Sequence, residues 1–157
     1  MTAPILHKLG TALRLGGHDR RLVAEALAAL VVARARTLLP FRVLARQLGG
    51  LTPPPPVPAV ASPPPPDVRA VVHDIRWAVV ALAPWLPFRS LCLQQAIAAR
   101  TMLSRRGIDS VLHLGVDRSK PEKLGAHAWL DTGGMPVTGY PVDPALVEVG
   151  RFTTPAR

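Results

Sequence analysis

Two runs of four consecutive prolines, 53–56 and 63–66, constrain this chain more than any other feature. Proline cannot continue a helix or donate a hydrogen bond to a sheet, so neither run can lie inside a regular element. Such a segment favours extended polyproline II backbone and acts as a spacer. The sequence therefore predicts an N-terminal helical region over residues 1–52, a proline-rich connector over 53–66 and a core over 67–157.

The segments on both sides of the connector have the apolar spacing of helices. Leucine, valine and alanine recur three and four residues apart in four segments before Gly107. The predicted helices cover residues 19–39, 41–47, 67–83 and 91–106. Asp19, Asp67 and Ser90 have side chains that suit the N-cap positions of the first, third and fourth of these helices.

The spacing changes to that of strands in the last third of the chain. Residues 110–116 and 125–130 are predicted strands. The segment Asp131–Gly134 has the composition of a hairpin turn, from which the chain returns through residues 135–140. The expected fold is therefore α+β, with N-terminal helices followed by a helix packed on a small antiparallel sheet.

Composition narrows the function classes. The 19 lysines and arginines against 10 acidic residues give a net charge of +9, which can attract nucleic acid, anionic lipid or an acidic peptide. The arginines are scattered and aromatic residues make up only 4%, so nucleic acid is not the expected partner. No apolar stretch reaches the roughly 20 residues of a membrane span. A single cysteine forms no intramolecular disulfide, which is typical of a reducing cytoplasm.

That cysteine, Cys92, stands at the start of the fourth predicted helix. Unpaired N–H groups and the positive end of the helix dipole favour a thiolate at this position. A nucleophilic thiolate needs a base, and His127 follows on a later predicted strand. A buried structural cysteine, the commoner role of a lone cysteine, is the alternative interpretation.

The neighbours of this pair have simpler predicted roles. Trp129, two residues after His127, shares its face on a regular strand and can shield the pair from water. The backbone N–H of Cys92 is the expected donor to an oxyanion, ahead of Gln94 and Gln95, which lie further along the helix. His113, on a strand between leucines, is predicted to be a packed or edge histidine and not a metal ligand. Because no zinc-ligand spacing occurs, neither a metal nor a cofactor is predicted.

Four blocks of the sequence resemble the leader peptidases of lasso-peptide biosynthesis, which are transglutaminase-like cysteine peptidases. The blocks are Cys92–Leu93, Met102–Ile108, Leu112–Val116 and Ala126–Leu130, in that family's order and approximate spacing. The resemblance covers residues 85–152. It implies a papain-like or transglutaminase-like core with Cys92 as nucleophile and His127 as base.

The resemblance also implies a function and partners. It implies a cytoplasmic cysteine endopeptidase that removes the leader from a ribosomally made precursor peptide through a thioester. A separate leader-recognition protein is expected, since the segment before the catalytic helix leaves no room for a fused recognition domain. An ATP-dependent macrolactam cyclase is the other expected partner. An acyl transferase on the same Cys–His site and a non-enzymatic adaptor in peptide maturation are the alternatives.

The third catalytic residue is the open point. Members of that family place an aspartate about a dozen residues after the histidine, on the returning strand. This sequence has Tyr140 near that place, and Asp143 is the expected substitute if Pro141 bends the strand. One alternative is Asp131, four residues after His127. The other is a Cys–His dyad oriented by a backbone carbonyl or another group.

Overall fold

The computed structural model describes residues 16–56, 62–117 and 125–153, and within these ranges four α-helices precede four β-strands. The helices are α1 (Gly17–Arg36), α2 (Phe41–Gln47), α3 (Pro66–Leu82) and α4 (Cys92–Ser104), with a 3-10 turn at Ala83–Trp85. The strands are β1 (Val111–Asp117), β2 (Gly125–Thr132), β3 (Met135–Thr138) and β4 (Leu146–Thr153). The expected α+β class is confirmed. Residues 1–15 of the predicted helical region and 57–61 of the connector lie outside the described residues.

The first and third helices begin without the predicted aspartate caps. Gly16 and Pro65 occupy the two N-cap positions, and neither makes a side-chain cap. Asp19 and Asp67 lie instead in the first turns, where a carboxylate favours the positive end of the helix dipole. Proline suits the first turn because its missing N–H has no partner there, so α3 begins on the last proline of the connector.

The four strands form one antiparallel sheet in the order β3–β2–β1–β4. Leu112 pairs with Leu130 on one side and with Phe152 on the other. The sequence did not predict β4, which pairs with β1 along its whole length and carries a bulge opposite Leu114 and Gly115. This additional strand makes β1 a central strand with neighbours on both sides.

The helices cover one face of the sheet. Leu112, Leu130 and Phe152 are fully buried in the same apolar cluster as the inner faces of the helices. Helix α4 lies at the centre of this cluster and contacts α1, α3 and the sheet. Its middle turn is buried on every side, and most residues there are alanines, which let neighbouring backbones approach closely.

The chain before the connector is joined to the far edge of the sheet. Thr52 and Arg151 exchange backbone hydrogen bonds of 3.0 and 2.8 Å. The buried guanidinium of Arg100 on α4 donates to the carbonyls of Leu48 and Thr153, both at 2.9 Å. These bonds attach the chain that follows α2 to β4, and they also fix the C-terminal half of α4.

Among the described helices, none combines the length and the apolarity needed to cross a bilayer.

Candidate active site

Cys92 is the first residue of α4 and is partly exposed. The N-cap position belongs to Leu91, so the expected capping role of Ser90 is wrong. No side-chain cap occupies the N-terminus of α4. The N–H groups of its first turn, that of Cys92 included, therefore have no helical acceptor and are available to an anion.

Two glutamines shape the chain that leads to Cys92. The Oε1 atom of Gln94 accepts a 3.1 Å hydrogen bond from the N–H of Leu91, and its Nε2 donates to the hydroxyl of Thr37 at 3.0 Å. The Nε2 of Gln95 donates to the carbonyl of Ser90 at 2.9 Å. Gln94 is only 2% exposed. Both amide groups are thus engaged in holding the start of α4, and the backbone is left as the candidate oxyanion donor.

Cys92 and His127 lie toward the same end of the sheet. A short turn leads from α4 into β1, so the helix runs antiparallel to that strand. The bond from Arg100 to Thr153 places the C-terminal half of α4 at the other end, where β4 finishes. The N-terminus of α4 therefore lies where β1 ends and β2 begins, and His127 is the third residue of β2.

The ring of His127 is held by a backbone carbonyl. Its Nε2 lies 2.7 Å from the carbonyl oxygen of Gly139. Because a carbonyl oxygen can only accept, Nε2 must carry the proton, and in the neutral ring Nδ1 has the free lone pair. This is the tautomer that a base needs in order to take a proton from a thiol through Nδ1.

The aspartates considered for the third catalytic role bind elsewhere. A carboxylate oxygen of Asp143 accepts a 2.9 Å hydrogen bond from the N–H of Ala145, two residues on. The carboxylate of Asp131 accepts from His113 at 2.6 Å. Neither aspartate is hydrogen-bonded to His127, whose Nε2 bonds to the Gly139 carbonyl instead, and the third catalytic residue stays a prediction.

The position of Gly139 excludes any side chain. Its φ is +78°, a conformation that L-residues rarely adopt. A Cβ atom there would overlap the carbonyl oxygen of Ala128 and lie 2.8 Å from the Cα of Trp129. The absence of a side chain is what lets this peptide approach β2, so a carboxylate at position 139 is incompatible with this backbone.

His127 points toward the face of the sheet that the helices leave uncovered. Its ring stacks on Trp129, as the alternation predicts, with ring centres 6.1 Å apart and planes 18° apart. Trp129 in turn stacks on His113 of the neighbouring strand at 5.2 Å and 2°. These three rings alternate along the strands with Leu112 and Leu130, which face the helices.

At His127 the strand β2 is an edge of the sheet. The ladder with β3 spans only Leu130 to Thr132, so no strand of the described residues pairs with β2 on that side of His127. Within the described residues no hydrogen bond joins the Cys92 thiol to the imidazole. The described contacts therefore do not join Cys92 to His127, whose ring lies on the face of the sheet opposite α4.

A partly buried ionic cluster lies beside these rings. The Nδ1 of His113 donates to Glu148 at 2.8 Å and its Nε2 donates to Asp131 at 2.6 Å, while Arg151 makes two 2.8 Å bonds to Glu148. Burial disfavours the charged ring, but the bonds to Asp131 and Glu148 outweigh it and raise the pKa of His113. Burial likewise opposes ionisation of Glu148, but Arg151 and His113 together lower its pKa.

Sequence reasoning did not find this cluster. His113 is 7% exposed, in agreement with the packed role predicted for it, but its partners were not anticipated. The face shared by His113 and Asp131 could be inferred from the two predicted strands. Glu148 and Arg151 lie on β4, which was not predicted. They are three residues apart, so only the bulge in β4 brings them to one face of the sheet, and no signal in the sequence marks this bulge.

Residues 35–149 match a family model described as the transglutaminase-like superfamily, from the end of α1 into β4. The match covers more than half of the chain. Members of this superfamily are generally cysteine-based enzymes, with peptidase or acyltransferase chemistry. No curated protein and no solved structure matches the chain.

Proposed function

The chain belongs to the transglutaminase-like superfamily, and we propose that it is a cysteine endopeptidase that removes the leader peptide from a ribosomally made lasso-peptide precursor. The observation that carries the chemical part of this proposal is the hydrogen bond from His127 Nε2 to the Gly139 carbonyl. It leaves Nδ1 available as a base near the end of the sheet where α4 begins. Because the ring of His127 points away from the face that α4 covers, the proposal requires the thiol and the ring to come together when the precursor binds. The substrate class comes from the resemblance of the Cys92, Met102–Ile108 and His127 blocks to leader peptidases.

The proposed reaction begins with proton transfer from the Cys92 thiol to Nδ1 of His127. The thiolate attacks the carbonyl carbon of the scissile peptide bond, and the resulting oxyanion is stabilised by N–H groups of the first turn of α4. The imidazolium then protonates the leaving amine, which departs as the core peptide. The leader remains on Cys92 as a thioester.

Water completes the proposed cycle. His127, neutral again, takes a proton from the attacking water, whose oxygen forms the new carboxyl group of the leader. The proton returns to the departing Cys92 sulfur. Throughout both steps the Nε2–H bond to Gly139 keeps the ring orientation. Catalytic hydrogen bonds are often incomplete before substrate binds, so the thiol–imidazole contact is expected to form in the complex with precursor.

A carbonyl stabilises the imidazolium less than a carboxylate would, because it carries only a partial negative charge. The indole of Trp129, stacked on His127, presents an aromatic face that favours a cationic ring and holds that ring in place. The proposal therefore describes a dyad whose orientation is set by backbone and packing.

The proposed setting is the cytoplasm, and the proposed partners are the precursor, a separate leader-recognition protein and an ATP-dependent macrolactam cyclase. The described N-terminal helices support a separate recognition protein. Helices α1 and α2 contribute Leu22, Leu30 and Leu44 to the same apolar cluster as the sheet. Their inner faces thus form part of the core that carries the site.

The test uses the full chain, the recognition protein and the precursor peptide of its genomic neighbours, with products read as intact masses. Cleavage should yield two fragments whose masses add up to the precursor plus one water. Cys92→Ala and His127→Ala should abolish it, whereas His73→Ala, an exposed histidine on α3, should leave it unchanged. Full cleavage by a folded Cys92→Ala protein would contradict the peptidase proposal and favour an adaptor role.

Acyl transfer is the second candidate, because the superfamily supports it equally. The same thioester would then be attacked by an amine instead of water. Addition of a primary amine to the reaction distinguishes the two, since a transferase gives a leader amide and no free carboxylate. A hydrolase gives the carboxylate as the main product.

A further inference from the structure

We propose that His113 is a positioning residue for His127, acting through the indole of Trp129. The three rings are stacked in series across two strands, His113 on β1 and the other two on β2. The inference rests on the proposed function in one respect, namely that His127 is the base. The effect of His113 on the tautomer of His127 can be measured without any substrate, whatever the function of His127.

His113 is fixed at both of its ring nitrogens. Glu148 accepts from Nδ1 at 2.8 Å and Asp131 accepts from Nε2 at 2.6 Å, so the ring can turn only by breaking a charge-assisted bond. The two carboxylates come from the strands on either side of β1. The ring is thereby attached to three adjacent strands.

The carboxylates are themselves held in place. Glu148 accepts two 2.8 Å hydrogen bonds from the guanidinium of Arg151. Asp131 accepts a further hydrogen bond, of 3.3 Å, from the N–H of Gly134. With His113 protonated, two cations face two carboxylates. A network in which each carboxylate binds more than one donor keeps its geometry better than a single exposed ion pair.

Trp129 transmits this rigidity to His127. One face of the indole lies parallel to His113, within 2°, and His127 stacks on it within 18°. The ring edge lies over Gly115, where a Cβ atom would be only 2.7 Å from Cζ3 of the indole. With this close fit the indole has little room to turn, and it forms a fixed wall for the His127 ring.

The two contacts of His127 then define its working geometry. Trp129 sets the plane of the ring and the Gly139 carbonyl holds Nε2, which leaves the Nδ1 edge free. His113 is not a catalytic residue in this scheme, because both of its nitrogens are engaged and its pKa is raised. Tyr140 stays a neutral phenol near these carboxylates, since burial, with the charges of Asp131 and Glu148, raises the pKa of Tyr140 to about 12.

The test compares His113→Gln and Trp129→Leu with Trp129→Phe, which keeps an aromatic wall. The first readout is the tautomer of His127, measured by ¹⁵N NMR of the imidazole in the substrate-free protein. The wild type and Trp129→Phe should show the Nε2–H form. His113→Gln and Trp129→Leu should show a mixture of the two tautomers.

The second readout is cleavage of the precursor. We expect His113→Gln and Trp129→Leu to lower kcat about tenfold or more, because misplacement of a reacting group is costly, with KM changed less than about twofold. Leu44→Ala, a core substitution remote from the rings, serves as the control for lost stability alone. It should leave the tautomer of His127 unchanged at a comparable loss in Tm.

Two results would overturn the proposal. The first is a pure Nε2–H form of His127 in folded His113→Gln and Trp129→Leu. The second is an equal change of tautomer in Leu44→Ala. If His113→Gln does not fold, Glu148→Gln, which weakens the bond to Nδ1 of His113, takes its place, and a pure Nε2–H form of His127 in that variant would overturn the proposal. Failure of the proposed function is distinguishable, since the wild type would then cleave no precursor while the tautomer measurement still decides the role of His113.

Discussion

The Nε2 of His127 and the carbonyl oxygen of Gly139 lie 2.7 Å apart. This bond selects the Nε2–H tautomer of the proposed base and, together with the stacking on Trp129, orients its ring. It is possible because Gly139 adopts φ +78° and has no Cβ atom. The orientation of His127 thus depends on the backbone of the segment that follows β3.

Gly139→Ala is predicted to damage both stability and activity. A residue with a side chain in this conformation costs about 1–3 kcal/mol, and the Cβ would also overlap the Ala128 carbonyl. The displaced peptide would release Nε2 of His127. Gly107→Ala is the matched control, because Gly107 also has positive φ, +68°, but has no atom within 4 Å of the added Cβ.

Urea unfolding and precursor cleavage measure the two effects. Gly107→Ala should lose stability through backbone strain alone and keep full activity per folded molecule. Gly139→Ala should lose more stability and most of its activity. Equal activity in the two variants would show that the Gly139 carbonyl does not orient His127.

Cys92 and His127 are predicted to act as one unit. Residues that share a catalytic step show strongly non-additive losses, because either change alone already removes the step. Cys92→Ala and His127→Ala should therefore lower kcat/KM to similar extents, and the double variant should be no worse. Losses that multiply in the double variant would place the two residues in separate steps.

The ionic cluster predicts a stability maximum in pH. His113 has a pKa raised above its ordinary value of 6.5, so its contribution is complete below that value and is lost as pH rises through the folded-state pKa. Glu148 has a pKa lowered below its ordinary value of 4.5, so its contribution is present above that value and is lost as pH falls through the folded-state pKa.

Urea midpoints measured across pH 5 to 9 (roughly the range in which histidines titrate) would test the upper limb. The wild type should lose stability above the folded-state pKa of His113, and His113→Gln should lack this decline. A decline of the same size in both proteins would assign it to another group.

Glu25 is predicted to stabilise the contact between α1 and the end of α4. The bond from Arg106, at 2.6 Å, is the main cause of the lowered pKa of Glu25, and Arg105 adds a 3.5 Å contact. Glu25→Gln should cost about 1 kcal/mol of unfolding free energy. Asp74→Asn, which removes an exposed 3.6 Å pair with His18, should cost almost nothing and is the control.

The two arginines next to Gly107 show how far the sequence was informative. They belong to one of the blocks that carry the family resemblance, and the sequence predicted for them only a favourable interaction with the helix dipole. In the structure Arg106 also binds Glu25 of α1 and the Met102 carbonyl. Arg106 and Glu25 are 81 residues apart in the sequence, and only the packing of α1 on α4 brings them together. The local sequence therefore gives no sign of this ion pair.

The strands and the site were likewise predicted only in part from the sequence. Alternation was enough to predict β1, β2 and the shared face of His127 and Trp129. It was not enough for β4, whose pattern is interrupted at Gly150, where Leu51 lies 2.8 Å from the position of a Cβ atom. The acceptor of His127 left no side-chain signature, because a carbonyl oxygen belongs to every residue.

Trapping with hydroxylamine tests the central claim, a leader thioester on Cys92, most directly. Hydroxylamine attacks a thioester at its carbonyl carbon, releases the thiol and leaves a hydroxamate. With the full chain, its recognition protein and the precursor, we predict a leader that ends in a hydroxamate in addition to the free carboxylate. Cys92→Ala should give neither product. Cleavage that yields only the carboxylate at high hydroxylamine and persists in Cys92→Ala would contradict the account.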